Sequence, residues 1–154
     1  MLRQFVGVGA LDIACADIFS AGPADAIISP ANSYGYMDGG IDLVYVQRFG
    51  WGLQARLQSA IATLPSRLLP VGYALTVPTG DAEVPQMISA PTMKVPQPVP
   101  LTQNAYLAFR AALREARERG FETLLGTGMC TLTGRMDPDE SAAQMRRAWA
   151  EVIG

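Results

Sequence analysis

The chain has 154 residues, a formal net charge of −2, no histidine and only two cysteines. That length suits one domain, 1–154, able to bury a core without staples, and the scattered charge, with Lys94 the single lysine, lacks the basic footprint of a nucleic-acid binder. Without histidine there is no Ser-His-Asp triad, Cys-His dyad or HExxH zinc site, and Cys15 and Cys130 cannot form a CxxC pair.

In chain order, Gln4 to Val8 is a short apolar segment, and Gly7-Val8-Gly9 reads as a turn between two strands. Leu11 to Ala16 reads as a strand, and Asp17-Ile18-Phe19-Ser20 leads to a turn at Gly22-Pro23. Ala26-Ile27-Ile28-Ser29 is a continuous apolar run, the pattern of a strand buried on both faces. A loop of small and polar residues follows from Pro30 to Gly40. Ile41 to Phe49 and Trp51 to Thr63 read as helices, the second with Leu53, Leu57, Ala60 and Ile61 at helical spacing. Trp51 and Trp149 lie on helical faces and are expected in the core.

Tyr73 to Pro78 and Met87 to Ala90 are two further predicted strands, separated by a turn at Thr79-Gly80-Asp81. Pro91 to Pro100 is a proline-rich connector, read as a surface loop or as part of a rim over a cleft. Thr102 is the expected N-cap of a helix over Asn104 to Arg119, whose buried stripe is Ala105, Phe109, Ala112, Leu113 and Ala116. Thr123-Leu124-Leu125 reads as a strand, and Gly126 to Met136 as a second glycine- and threonine-rich loop. Asp137-Pro138-Asp139-Glu140 combines an N-cap aspartate, proline at the first helical position and glutamate three residues past the cap. Strands alternating with helices predict an α/β domain with a mostly parallel sheet. Ligands of such sheets bind beyond the carboxyl ends of the strands, where both glycine-rich loops fall.

Two constellations carry chemistry. In the first, Asp25 to Ser33 delivers Asn32 into the loop, and Asp38-Gly39-Gly40-Ile41-Asp42 opens a helix. Glycines allow close backbone approach, and a helix N-terminus offers unpaired N–H groups to a phosphate. In the second, Gly126-Thr127-Gly128-Met129-Cys130 and the residues to Arg135 suit a loop that wraps a diphosphate with backbone amides. No Lys-Ser/Thr pair follows these glycines, so it is not a P-loop. Acid–base chemistry must fall to a carboxylate, a tyrosine, the lysine or the substrate. Asp42, in the first turn of its helix, is the best-placed candidate and is expected to stay ionised through the helix dipole. Tyr34 and Tyr36 could stack on a ligand or simply cover the loop. No apolar run approaches the ~20 residues of a membrane span, and the first residues do not read as a signal peptide. A soluble, cytoplasmic protein with no membrane partner, no cofactor and no metal is expected.

Together the motifs resemble the macrodomain family. Ala16-Asp17-Ile18-Phe19 stands where the family has Gly-Asp-Ile-Thr. Asp25 to Ser33, followed by Gly39-Gly40-Ile41-Asp42, matches its core pattern, and Gly126-Thr127-Gly128 its late one. The resemblance implies a three-layer α/β/α sandwich with a mixed, mostly parallel central sheet, and a cleft for ADP-ribose or an ADP-ribosylated substrate. It implies that Asp17 accepts from the adenine amino group, that Ile18 lines the adenine pocket and that Asn32 binds the distal ribose. Gly39, Gly40 and Ile41 would line the ribose and diphosphate, and Gly126, Thr127, Gly128, Met129 and Cys130 would cradle the diphosphate. Asp42, aided by Asn32, matches the position hydrolytic members use for catalysis. The pattern departs at Ser29, where the family carries asparagine, at Pro30, and in a glycine run shortened to two. Those departures point to the alternatives, a non-catalytic ADP-ribose reader or an interaction module.

Overall fold

The computed structural model describes Phe5 and residues 9–154. The apolar segment Gln4 to Val8 and the turn at Gly7-Val8-Gly9 therefore lie largely outside the described residues.

Among the described residues, four strands and four α-helices follow one another: β1 (Ala26–Ser29), α1 (Gly40–Phe49), α2 (Gly52–Ala62), β2 (Leu75–Pro78), β3 (Gln86–Ser89), α3 (Asn104–Glu118), β4 (Leu124–Leu125) and α4 (Pro138–Val152). The sheet order is β2-β3-β1-β4. Strand β1 pairs parallel with β3 and β4, and β2 pairs antiparallel with β3. The sheet is thus mixed and mostly parallel.

Why β1 is apolar at consecutive positions is plain from its two faces. Side chains alternate across a strand. Ile28 and Ile88 pack on the face covered by α3 and α4, with Ala112, Phe109 and Ala148. Ile27 and Met87 pack on the other face, with Tyr45 and Val46 of α1 and Leu53, Leu57 and Ile61 of α2. Both faces are covered, so β1 is apolar up to its carboxyl end, where the buried Ser29 stands. The result is an α/β/α sandwich.

Local chemistry sets the element ends. Asp25 accepts from the amides of Glu122 (2.7 Å) and Thr123 (3.1 Å), tying the start of β1 to that of β4. These bonds hold its carboxyl below the usual range. Asp137 caps α4 by accepting from the amides of Asp139 (2.9 Å) and Glu140 (3.2 Å).

Three expectations are corrected. Leu11 to Ala16 forms no strand. All of its residues are half-buried or exposed, so the apolar run is not drawn into the sheet. Trp51 is 54% exposed rather than in the core, because it precedes α2 and lies off its buried stripe; Trp149 does pack, partly buried, against the α3/α4 core. Thr102 is not the N-cap of α3. Gln103 holds that position without a side-chain cap bond, while the Thr102 hydroxyl donates to the carbonyl of Val99 at 2.9 Å and accepts from the Asn104 amide, the first of the helix, at 3.3 Å. Among the described residues no helix is long and apolar enough to cross a membrane.

Candidate functional site

The first loop leaves the carboxyl end of β1. Its shape is set by Asn32, whose Oδ1 accepts from the amides of Tyr34 (3.1 Å) and Tyr36 (3.3 Å). Its Nδ2 donates to the Tyr36 carbonyl at 2.8 Å. The turn passes through Gly35 at φ +74°, where a Cβ would fall 2.9 Å from Ile61 Cδ1. Helix α1 then starts at Gly40 behind Gly39, which has no side chain to cap it. The N–H groups of that first turn have no side-chain partner and the positive end of the helix dipole lies there.

The second loop leaves β4 and folds back on itself. Met136 donates its amide to the Cys130 carbonyl at 2.9 Å, and Val99 donates to the carbonyl of Gly134 at 2.8 Å. A Cβ at Gly134 would lie 2.6 Å from the Cys130 carbonyl oxygen, so only glycine fits. Cys130 itself is held at φ +63°, a conformation uncommon for a residue with a side chain. The hydroxyl of Ser141 in α4 donates to the Met129 carbonyl at 2.6 Å, fastening the loop to the helix behind it.

Between the loops lies a cleft of about 380 Å³. Of the residues singled out by sequence, Asn32, Gly39, Gly40, Ile41 and Asp42 line it from one side. Thr127, Gly128 and Cys130 line it from the other. Gly126 and Met129 do not reach its wall, and Met129 is fully buried in the core beneath the loop. Asp17 and Ile18 also lie off the cleft. Asp17 accepts from the Phe19 amide at 2.8 Å and caps a short 3-10 turn over Ile18–Ala21; Ile18 packs against the α1/α2 core.

Asp42 is the chemically distinctive group. It is 5% exposed, yet it lines the cleft. Ser29 Oγ donates to its Oδ1 at 2.5 Å. Burial pushes the carboxyl up to about 6, against the lowering effect of the Ser29 bond. The helix dipole expected to hold Asp42 ionised is thus opposed by desolvation, and a carboxyl near 6 is still mostly ionised at neutral pH. Tyr45, one turn along α1, donates its hydroxyl to the Ile28 carbonyl at 2.9 Å and does not serve Asp42. Burial and the neighbouring carboxylate both push the Tyr45 hydroxyl upward. The Cys130 thiol is likewise raised by burial, to about 11, which makes it a poor nucleophile.

No arginine or lysine lines the cleft among the described residues, whereas Asp38 and Asp42 both do. An anion held here must be held by backbone N–H groups. Sequence reasoning missed Thr92 and Met93, which follow β3, and Asp38 and Pro30 as wall residues. The proline-rich connector contributes Pro96 to the wall, which agrees with its reading as a rim. The parallel bridge between Asn32 and Met93 shows the signal that was not legible: β3 runs on beside β1, so the residues after both strands meet.

An α/β/α sandwich with its cleft between the loops after β1 and β4 defines the class. A family model described as Macro domain matches residues 28–145, and the chain belongs to that family. It is 35% identical over 130 residues to an uncharacterized protein of Aquifex aeolicus, covering 84% of this chain and 73% of the relative. A similar uncharacterized protein of Aeropyrum pernix is 32% identical over 132 residues, covering 85% and 66% respectively. Among solved structures, the macrodomain of Mycobacterium tuberculosis DarG superposes with a TM-score of 0.68 at 21% identity, covering 93% of this chain and 88% of that one. The Oceanobacillus iheyensis macrodomain with ADP gives 0.72 at 16% identity, over 83% of this chain and 68% of the other. At such identities these structures support the fold.

Proposed function

We propose that the cleft binds ADP-ribose or a close derivative, with the diphosphate lying along the backbone N–H groups of the two loops. The observation that carries this reading is the uncapped start of α1 at Gly39-Gly40 facing a cleft whose described lining has no cation. A helix N-terminus and a backbone loop are together suited to a dianion. The Oceanobacillus iheyensis macrodomain has been solved with ADP and, as a variant, with ADPR, and the Trypanosoma brucei macrodomain with ADP. In this reading Thr127, Gly128 and Cys130 cradle the diphosphate together with Gly39, Gly40 and Ile41, and Gly126 and Met129 shape that loop from behind. Asn32 lies toward the distal ribose, and the adenine would have to extend beyond the cleft wall to meet Asp17 and Ile18, which lie off it.

Hydrolysis of ADP-ribosyl adducts is the activity the site can support. Asp42, aided by Asn32, would take a proton from a water that attacks the anomeric carbon or an ester carbonyl on the distal ribose, and the proton passes to the departing group as its bond breaks. The diphosphate and adenine contacts lie elsewhere, so binding energy remote from the reacting carbon positions it. A reader without catalysis is the second reading. It is favoured by Asn32, whose carboxamide is committed to the Tyr34–Tyr36 turn rather than turned to a substrate.

A calorimetric titration with ADP-ribose should show one-site binding, and its absence at millimolar ligand would refute the proposal. On mono-ADP-ribosylated protein or acylated ADP-ribose, Asp42→Ala should lose most of the turnover and keep its affinity for free ADP-ribose. Turnover that survives Asp42→Ala would move the chemistry to another residue. A wild type without turnover would leave the reader as the function.

A further inference from the structure

Residues 29 and 89 occupy the same place on neighbouring strands. Ser29 ends β1, Ser89 ends β3, and the two are partners in the parallel register. They project on the α1/α2 side of the sheet, as Ile27 and Met87 two residues earlier do. Both are fully buried. Yet only Ser29 has a partner, Asp42 Oδ1 at 2.5 Å; the Ser89 hydroxyl has none. Asp42 Oδ2 has no hydrogen-bond partner among the described residues, and Asp42 lines the cleft.

We propose that Ser29 is the positioning residue for Asp42: its hydroxyl clamps Oδ1 and leaves Oδ2 as the oxygen presented to the ligand. This rests on the reading of the cleft as an ADP-ribosyl site in which Asp42 acts on water. A carboxylate at the end of two rotatable bonds, buried without a donor, would lose both its orientation and its charge. Ser29 opposes both losses with one short bond. Nothing else described around Asp42 does so. The strands β1 and β3 carry no charged residue. The other titratable groups on the cleft wall are Asp38, Tyr36 and Cys130, none of them a cation, and the Tyr45 hydroxyl is engaged with Ile28. The serine in place of the family's asparagine thus has a definite task rather than being a lost site residue.

The experiment is a carbon-detected NMR titration of the Asp42 carboxyl, run beside turnover on the proposed substrates. The wild-type midpoint should lie near 6. Ser29→Ala should raise it by about one pH unit, the scale expected when a hydrogen bond to the charged form is lost. Ser29→Cys, which keeps the volume with a weaker donor, should give a smaller rise, and it serves if the alanine variant does not fold. Ser29→Thr should restore the midpoint, while Ser89→Ala should leave it unchanged. In turnover, Ser29→Ala should lower kcat about tenfold or more with the affinity for free ADP-ribose intact. An Asp42 midpoint unmoved by both Ser29→Ala and Ser29→Cys overturns the clamp, whatever the wild type does in the assay. A wild type that neither binds ADP-ribose nor turns over mono-ADP-ribosylated protein or acylated ADP-ribose, with the midpoint still moved by Ser29→Ala, sinks the reading of the cleft and leaves the clamp standing.

Discussion

Asp42 shows how a single group can work against the fold that contains it. Its ordinary value is 3.8 and burial raises it to about 6 in the native state. Between those values the folded protein holds a proton that the unfolded chain has released. Stability from this group is therefore fully present below about 4 and is lost as pH rises through about 6. The loss is about 3 kcal/mol at neutral pH, by the value of one pKa unit. Asp42→Asn should remove that slope. Urea denaturation at several pH values should find the variant more stable than wild type at pH 7, and level with it near pH 4. Equal pH dependence in both proteins would mean that Asp42 is more hydrated than its burial implies. Asp25, Asp81 and Glu151, all held below the usual range, contribute in the opposite sense at lower pH and are common to both proteins.

Among the elements, the second loop is the most tightly determined. Gly134 cannot carry a Cβ against the Cys130 carbonyl, whose oxygen also receives the Met136 amide. Gly134→Ala should destabilise the protein by roughly 2 kcal/mol, in the range of backbone substitutions at a forced position. It should also weaken ADP-ribose, because the loop that must open forms one wall of the cleft. Full stability by thermal unfolding would show that the loop yields without cost. How far elements were legible follows the same physics. Helix α4 announced itself, since Asp137, Pro138 and Glu140 are local signals that act locally. The strand β1 was legible because both faces are buried. Leu11 to Ala16 misled because a short apolar run fits a strand or a half-buried coil equally well, and only long-range packing decides. Ser29 read as a departure from the family pattern, and its bond to Asp42 depends on where α1 docks. Asn32's bond to the Tyr34 amide two residues on is a local asparagine turn, which the expected ligand role of that residue overshadowed.

At the scale of the whole molecule, two separate cores sit on the two faces of one sheet, and the cleft opens where β1 and β4 end. The helices on both sides hold the loop bases: α1 begins in one, and α4 is fastened to the other through Ser141. Ligand binding at this end should therefore register as global stabilisation, because it engages segments anchored in both cores.

The cleft's lack of cations has a consequence for how the protein would behave in different media. A protein that captures phosphates with lysine and arginine displaces counterions, and its affinity falls steeply as ionic strength rises. Here the described lining has no such residue and carries Asp38 and Asp42 instead. Fixed amide dipoles in a sheltered loop feel little screening, and added salt would soften the repulsion from the two carboxylates. The ADP-ribose dissociation constant should thus stay nearly flat, within about twofold, between low and moderately high potassium chloride. A steep weakening would reveal an arginine reaching the ligand from outside the described wall. If the affinity does stay flat, recognition by this chain would be almost independent of the ionic strength of its surroundings.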